Sequence, residues 1–293
     1  MKIACFTRNG VPGIGKVEAD GSIVPFDLSP ESAARGIASL LEIGSPSSLR
    51  QLAPIAACEI ELRAPMPRPQ RNIFCVGKNY HEHAKEFSAS GFDSSAASGV
   101  IPKEPIIFSK LPETVIGTGQ PIRIDASVST AIDYEAELAV IIGKQVRGAT
   151  RENALDFVWG YTIVNDVTAR DLQGKYSQWL IGKSQDTFCP MGPVAVTADA
   201  FDPQSARIRC LVNGELRQDA SISDLIFDIP RIISTISAGI TLQPGDIIAT
   251  GTPAGVGIGF TPPRYLVPGD NVRIEVDGIG VLENPVVAYG NGA

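Results

Sequence analysis

The segment IDYEAELAVIIGK places several acidic side chains in an otherwise apolar run. If it forms a strand, its side chains alternate between two faces, and Asp133, Glu135 and Glu137 project to the same side about 7 Å apart. Like charges at that spacing repel one another, so they need basic partners or a hard divalent cation that prefers oxygen ligands. The alternative is a solvated acidic face at the edge of a sheet.

A further carboxylate follows in GYTIVNDVTARD, where Asp166 ends an apolar run. A strand is expected to pass into a loop at this point, and a ligand at a strand end is held rigidly while it stays accessible. An Asn-Asp pair in this position is also a common turn former. The residue types alone leave both interpretations open.

Both histidines of the chain lie in NYHEHAKEF. Two histidines exclude a three-histidine zinc site. On a helix, His83 and Glu86 are i, i+3 neighbours, so the carboxylate can orient the imidazole and increase its basicity, whereas His81 points elsewhere. The pair leads into Ser88–Gly99 (SASGFDSSAASG), a small polar segment that predicts either a surface loop or a mobile lid.

Two more segments could contact a substrate. Lys183, in IGKSQDTFCPMGP, could neutralise a developing anion or be an ordinary solvated lysine. The glycine-rich run Thr250–Phe260 (TGTPAGVGIGF) lacks the GxGxxG spacing and the following helix that dinucleotide binding requires. Its backbone N–H groups and Thr252 can still bind a small anion such as a carboxylate.

The elements that must position these side chains are mainly strands. Short runs rich in Ile and Val, such as NIFCVG, PIIFSK and NVRIEVDG, recur between turn-forming residues. Asn213-Gly214 and Asp277-Gly278 predict hairpin turns of type I′. Helical patterns are fewer, at Ala33–Leu41, Thr150–Val158 and Leu225–Ser237. The sequence therefore predicts a β-rich α+β fold.

The proline-rich stretch Ala64–Gln70 (APMPRPQ) predicts a connector, because proline fixes φ and removes a hydrogen-bond donor. We place a domain boundary there. The prediction is a small N-terminal α/β domain over residues 1–66 and a larger domain over residues 70–293.

Composition limits the classes of function. The chain has 293 residues, 44% of them hydrophobic and 19% charged, which is typical of a globular protein. The net charge of −7 excludes a basic nucleic-acid surface and a polybasic membrane patch. No apolar run approaches the roughly 20 residues of a membrane span, and the start lacks signal-peptide features. With five cysteines and no CxxC pair, we expect a cytoplasmic protein with reduced thiols and neither nucleic-acid nor membrane partners.

Taken together, these segments resemble the fumarylacetoacetate hydrolase (FAH) superfamily from about Asn72 to Tyr289. The resemblance is carried, in order, by VGKNYHEHAKEF, IIFSK, IDYEAELAVIIGK, GYTIVNDVTARDLQ, GKSQDTFCPMGP and TGTPAGVG. The small leading domain is similar to that of short bacterial members. The resemblance implies a mixed, rolled, barrel-like sheet and a homodimer.

The resemblance also implies a division of roles in the site. It implies Mg²⁺ or Mn²⁺, with Ca²⁺ as a further option, and a 2-oxo or 2,4-dioxo acid as substrate. The residues it assigns are Glu135, Glu137 and Asp166 to the metal, His83, Glu86 and Lys183 to catalysis, and Tyr80, Gln173 and Thr252 to substrate binding. Asp133 is not usually a ligand in the shorter members.

The reaction that these roles imply first is metal-dependent hydrolysis of a C–C bond in a 2,4-dioxo acid, such as an acylpyruvate or a fumarylacetoacetate-like compound. A water activated by the His83–Glu86 pair would attack, and a metal-stabilised enolate would leave. The same site could instead serve a decarboxylase, or an isomerase or hydratase, of a 2-oxo acid of the oxaloacetate or 2-hydroxyhepta-2,4-dienedioate type. A Schiff-base enzyme centred on Lys183 and a non-catalytic divalent-metal-binding protein remain as alternatives from other classes.

Overall fold

The computed structural model describes residues 1–44, 46–89 and 101–290. Within them the chain forms eighteen strands and six α-helices, so the predicted β-rich α+β class is confirmed. Of the predicted lid over residues 88–99, only the first two, which end a helix, belong to this described part. None of the described helices has the length and apolar character that a membrane crossing requires.

The strands cover both the leading segment and the remainder of the chain. In chain order they are β1 (Lys2–Arg8), β2 (Val11–Val17), β3 (Ile23–Pro25), β4 (Glu61–Arg63), β5 (Ile73–Gly77), β6 (Ile106–Lys110), β7 (Val115–Ile116), β8 (Ile122–Ile124), β9 (Ile132–Asp133), β10 (Ala136–Ile142), β11 (Val158–Asn165), β12 (Thr168–Ala169), β13 (Cys189–Thr197), β14 (Arg207–Val212), β15 (Glu215–Ser221), β16 (Ile247–Ala249), β17 (Asn271–Val276) and β18 (Gly280–Ala288). The helices are α1 (Pro30–Ala34), α2 (Ile37–Ile43), α3 (His81–Ala89), α4 (Arg170–Lys175), α5 (Leu180–Lys183) and α6 (Ile229–Ser237).

Most strands belong to one large mixed sheet. Over the described ranges its order is β3-β2-β1-β13-β11-β10-β16-β5-β6, with β4 beside β1 and β7 beside β13. A second sheet has the order β15-β14-β17-β18-β8, and β9 pairs with β12 alone. The pairs β16–β5, β13–β7 and β18–β8 are parallel, and the others are antiparallel. The large sheet is an open path of strands, and the predicted mixed topology is confirmed.

Strand β10 explains why the acidic segment continues into an apolar run. Leu138 and Val140 contribute to one hydrophobic core, while Ala139 and Ile141 on the opposite face contribute to another. A strand buried on both faces reads as continuously apolar. The acidic residues therefore lie at the beginning of a fully buried central strand, which excludes the solvated edge strand.

The leading segment shares its sheet and its core with the rest of the chain. Strand β1 is hydrogen-bonded to β13, with Ile3 opposite Ala195. Ile37 and Leu40 of α2 pack in the same buried cluster as Ile141 of β10. Residues 64–70 form neither helix nor strand, so the connector prediction is confirmed. The division into domains at that connector stays a prediction.

The predicted helices are only partly present. The pattern Ala33–Leu41 is divided between α1 and α2, because Gly36 takes a φ of +64° between them. The pattern Leu225–Ser237 becomes helical only from Ile229, where α6 begins.

The helix predicted over Thr150–Val158 is wrong. A short 3₁₀ turn, Ala154–Phe157, occupies its second half, and β11 begins at Val158. The β-branched and aromatic residues that follow pair with β10 and β13, and this tertiary pairing overrides the weak local helical preference.

Both predicted hairpins join adjacent strands, β14 to β15 and β17 to β18. Asn213 and Gly214 both have positive φ, as a type I′ turn requires. At the second hairpin Gly278 has a positive φ but Asp277 does not, so this turn is of another type.

We expect Ile3→Ala to destabilise the whole chain. Ile3 is fully buried between β13 and the α2 side of the sheet, and such truncations cost about 2–5 kcal/mol. Both tryptophans, Trp159 and Trp179, lie outside the leading segment, so their fluorescence during urea unfolding reports on the remainder. The matched control is Val11→Ala, at an exposed position of β2, with an expected effect below about 0.5 kcal/mol. A tryptophan transition unmoved by Ile3→Ala would mean that the leading segment unfolds independently.

Candidate active site

Three of the predicted acidic residues meet where β10 begins and β11 ends. Ala136 pairs with Asn165 across these strands. The Asp166 N–H donates to the carbonyl of Glu135 at 2.9 Å, and the Glu135 N–H donates to Asn165 Oδ1 at 3.0 Å. These two bonds fix the backbone on which both carboxylates are mounted.

Glu135, Glu137 and Asp166 form one buried acidic cluster. One carboxylate oxygen from each lies within 4.8 Å of the others. All three residues are buried, so water does not screen their repulsion. The predicted set of oxygen ligands is therefore brought together in space, in an arrangement that a single hard cation can bridge.

Asp133 does not join this cluster, although it shares the Arg170 guanidinium with Glu135, so that these two carboxylates lie near each other. The strand is interrupted after Asp133, which belongs to β9, and β10 starts only at Ala136. The Asp133 carboxylate instead accepts hydrogen bonds from Arg170 and from a glycine-rich loop.

Three buried cations compensate the acidic cluster. Lys183 Nζ lies 2.6 Å from Glu135 Oε2 and 2.7 Å from Asp166 Oδ2. Lys110 Nζ lies 2.7 Å from Asp166 Oδ1 and also donates to the carbonyl of Lys183. Arg170 Nη1 lies 2.7 Å from Glu135 Oε1, and its Nε lies 2.8 Å from Asp133 Oδ2. Each of these ion pairs is almost fully removed from solvent.

The compensation is uneven among the acids. Burial opposes ionisation of Glu135, but Lys183 and Arg170 outweigh it and hold its pKa below the usual range. Burial raises the pKa of Glu137 well above its usual range, and the neighbouring Asp166 and Glu135 raise it further. Glu137 is thus the carboxylate whose charge the protein compensates least. A divalent cation bridging the three acids would supply that charge, so the donor set fits Mg²⁺ or Mn²⁺.

The predicted dyad is present on α3. His83 Nδ1 lies 3.2 Å from Glu86 Oε2, and His83 is buried while His81 is exposed. The Gly255 N–H donates to both carboxylate oxygens of Glu86, at 3.1 and 3.3 Å. A loop far along the chain therefore holds the carboxylate that orients the imidazole.

His83, Glu135 and Glu137 face one small cavity of about 20 Å³, with room for about one water molecule. Its walls contain most of the predicted site residues, namely His83, Glu135, Glu137, Gln173, Lys183 and Thr252, together with Lys78, Phe87, Phe108, Arg170 and Trp179. Tyr80 does not lie along this cavity. It lines a separate groove of about 540 Å³ with His81, and burial together with the nearby charge of Glu137 raises the pKa of its hydroxyl.

Sequence reasoning missed three cations of the site. Lys110 ends an apolar strand, Arg170 follows the NDVTA turn, and Lys78 lies in VGKNY with a positive φ of 53°. All three are buried. A charged residue inside or at the end of an apolar run was the available signal, because burying such a charge requires a partner of opposite sign. Arg170 Nη2 has no hydrogen-bond partner among the described residues.

The glycine-rich loop binds carboxylates of the chain itself. Gly251 donates to Glu137 at 2.8 Å, Gly255 to Glu86, and Gly257 to Asp133 at 2.6 Å. The expectation that these amides are offered to a small external anion is therefore wrong for these three groups. Each of these N–H groups already donates to a carboxylate of the chain at or beside the site.

We expect Gly259→Ala to displace the dyad carboxylate without unfolding the protein. A Cβ on Gly259 would lie 1.8 Å from Glu86 Oε1, and the flexible end of a glutamate can move away at low cost. Imidazole NMR on the metal-free protein measures the result. The His83 signal, assigned against His81→Gln, should shift as it does in Glu86→Gln, with unfolding free energy changed by less than about 0.5 kcal/mol.

The matched control for that substitution is Gly239→Ala, because a Cβ there has no neighbour within 4 Å. It should leave the imidazole signal at the wild-type position. A wild-type signal in Gly259→Ala itself would show that this loop does not define where Glu86 lies.

The chain is similar to known proteins of one family. Residues 72–287 match the family model described as fumarylacetoacetate (FAA) hydrolase C-terminal. An oxaloacetate tautomerase of Bacillus subtilis, YisK, is 50% identical over 229 residues, which are 78% of this chain and 73% of that protein.

Two solved structures extend the similarity to nearly the whole chain. A fumarylacetoacetate hydrolase from Exiguobacterium antarcticum is 42% identical with a TM-score of 0.83, covering 99% of this chain and 100% of that one. A maleylpyruvate hydrolase from Sphingobium sp. SYK-6, in complex with manganese(II) and pyruvate, is 33% identical with a TM-score of 0.74, covering 98% and 99%. The chain therefore belongs to the fumarylacetoacetate hydrolase superfamily.

Proposed function

We propose that the protein is a divalent-metal-dependent tautomerase that interconverts the enol and keto forms of a small dicarboxylic 2-oxo acid of the oxaloacetate type. One observation carries the proposal: a single cavity is lined by Glu135, Glu137, the oriented imidazole of His83 and several buried cations, and Asp166 completes the acidic cluster beside it. The 50% identity to an oxaloacetate tautomerase supports this reaction over the hydrolysis that the sequence analysis placed first.

The acidic cluster is the proposed metal site. Glu135, Glu137 and Asp166 would hold Mg²⁺ or Mn²⁺, and a maleylpyruvate hydrolase of this fold binds manganese(II) together with pyruvate. Bound there, a divalent cation supplies Lewis-acid stabilisation of negative charge on an enolate oxygen.

Tautomerisation needs a group that moves a proton between the substrate's oxygen and carbon, and His83 is our candidate. Its Nδ1 contacts Glu86, so Nε2 is the nitrogen left to exchange a proton with a substrate in the cavity. Glu86 fixes the ring orientation, and Gly255 fixes Glu86. General acid–base help of this kind contributes typically about 10²–10⁴ in rate.

The cavity's cations suit a doubly charged substrate. Lys78, Arg170 and Lys183 all line it and are all buried, so they act on a bound anion with little screening from water. Arg170 Nη2 can donate to a substrate oxygen without giving up its bonds to Asp133 and Glu135. Gln173 and Thr252 add uncharged polar groups to the same wall.

Hydrolysis of a C–C bond in a 2,4-dioxo acid is the second candidate, and the His83–Glu86 dyad favours it because the same pair can activate a water. The maleylpyruvate hydrolase among the solved structures supports it as well.

The deciding experiment follows the enol absorbance of oxaloacetate and the release of pyruvate in the same preparation with Mg²⁺ or Mn²⁺. We expect fast loss of the enol without pyruvate. Pyruvate from an acylpyruvate at a higher rate would establish the hydrolase instead, and pyruvate with CO₂ from oxaloacetate a decarboxylase. Metal-free protein should be inactive in each assay and recover on addition of Mn²⁺.

Asp166→Asn should weaken Mn²⁺ binding, measured by titration calorimetry, by on the order of 100-fold or more, since even residues behind a ligand cost 10–100-fold. The protein should still fold, because the amide keeps the size of the carboxylate. The control is Asp186→Asn, at an exposed site near Lys183 in the sequence. Equal Mn²⁺ affinity in the two variants would remove Asp166 from the metal site.

His83→Ala should lower kcat by about 10²–10⁴ while Mn²⁺ affinity changes by less than about threefold, because the imidazole acts on the substrate and not as a ligand. His81→Ala, two residues away but exposed, should stay within about twofold of wild type. If His83→Ala reduced Mn²⁺ affinity and left kcat intact, the role assigned to the imidazole would be wrong.

A further inference from the structure

We infer that Asp133 is a positioning residue that holds two parts of the site in place relative to each other, the Arg170 side of the cavity and the loop whose Gly255 binds Glu86. The inference deepens the proposed function, because it rests on that site being the reactive one. It assigns a role to the acid that the geometry separates from the metal cluster.

Asp133 is fully buried, and its carboxylate is surrounded by donors. Oδ1 accepts from the N–H groups of Tyr134 at 2.9 Å and Gly257 at 2.6 Å. Oδ2 accepts from Arg170 Nε at 2.8 Å and from the Ile258 N–H at 3.0 Å. Charge-assisted bonds to a carboxylate are about twice as strong as neutral ones, so these four bonds hold the carboxylate and its partners rigidly together.

One partner of Asp133 is Arg170, which lines the cavity. Arg170 uses Nε for Asp133 and Nη1 for Glu135 and Gln173, which leaves Nη2 without a partner among the described residues. A guanidinium held at two corners presents the third in a fixed direction. Asp133 thereby determines how Arg170 faces the cavity.

Asp133 also binds the loop that holds Glu86 of the dyad. Gly257 and Ile258, which Asp133 binds, lie two and three residues after Gly255, whose N–H holds Glu86. The hydroxyl of Tyr134, the neighbour of Asp133, donates to the carbonyl of Gly255 at 2.8 Å. The segment 255–258 is therefore anchored to β9, and through it the position of Glu86 depends on Asp133.

Asp133→Asn is a sharp test because it conserves shape. Both oxygens of the aspartate accept from two N–H donors each, so either orientation of an asparagine places its NH₂ group against two donors. We expect the variant to fold, to lose about 10–100-fold in kcat and to bind Mn²⁺ within about threefold of wild type. In the metal-free protein its His83 imidazole signal should shift as in Glu86→Gln.

A double-mutant cycle separates positioning from general damage. Because part of its effect runs through Glu86, Asp133→Asn should lower kcat by a smaller factor in a Glu86→Gln background than in wild type, with the remainder arising through Arg170, whereas independent effects would multiply in full. Multiplying effects, or an unshifted metal-free His83 signal, would overturn the inference. The NMR result does not depend on which 2-oxo acid is the substrate, so failure of the proposed function and failure of this inference are distinguishable.

Two further variants keep the test decisive. Asp246→Asn is the matched control: Asp246 is also a buried acid, paired with Arg71 at 2.8 Å and with the Gln243 N–H, but at the other end of β16 from Thr252. It should lower stability without moving the His83 signal. If Asp133→Asn fails to fold, Tyr134→Phe leaves the Asp133 carboxylate in place and removes the hydroxyl that donates to Gly255, and a wild-type His83 signal there would equally overturn the transmission through this loop.

Discussion

Buried like charges constrain this structure more than any other feature. Glu135, Glu137 and Asp166 approach within 4.8 Å of one another in a region with no solvent screening, and an uncompensated cluster of this kind is strongly unfavourable. Lys110, Lys183 and Arg170 are recruited from three different elements to offset it. The site is consequently a network of opposite charges from several parts of the chain. The elements that carry these residues must be placed so that buried carboxylates lie beside buried cations.

The glycine-rich loop serves the same constraint with backbone dipoles. Its amides bind Glu137, Glu86 and Asp133, so it contributes hydrogen-bond donors to three acids at or beside the site. The glycines are required sterically: Gly255 has a φ of +101°, and a Cβ there would lie 1.9 Å from the carbonyl oxygen of Arg217. The glycine-rich loop, whose composition first suggests nucleotide binding, therefore stabilises carboxylates of the protein itself.

Much of this could be predicted from the sequence because the signals are local. The order of residue types along a few turns or pleats is enough to indicate the three clustered acids, the His83–Glu86 spacing and the apolar runs of the strands. The separate role of Asp133 could not be predicted, because its partners Arg170 and Gly257 lie 37 and 124 positions away in the sequence. The helix expected over residues 150–158 failed because strand pairing, which is remote in sequence, decided its conformation.

The sequence by itself determined the main candidates for the chemistry, since carboxylates, an imidazole and a lysine are recognisable by type and their motifs resemble those of one superfamily. Only the tertiary structure decided which of them meet. Asp133 and Gly257 are separated by 124 positions, and Glu86 and Gly255 by 169, yet each pair is hydrogen-bonded. Contacts of that separation depend on the sheet order, which is set by the packing of two cores on opposite faces of β10 and not by any local pattern.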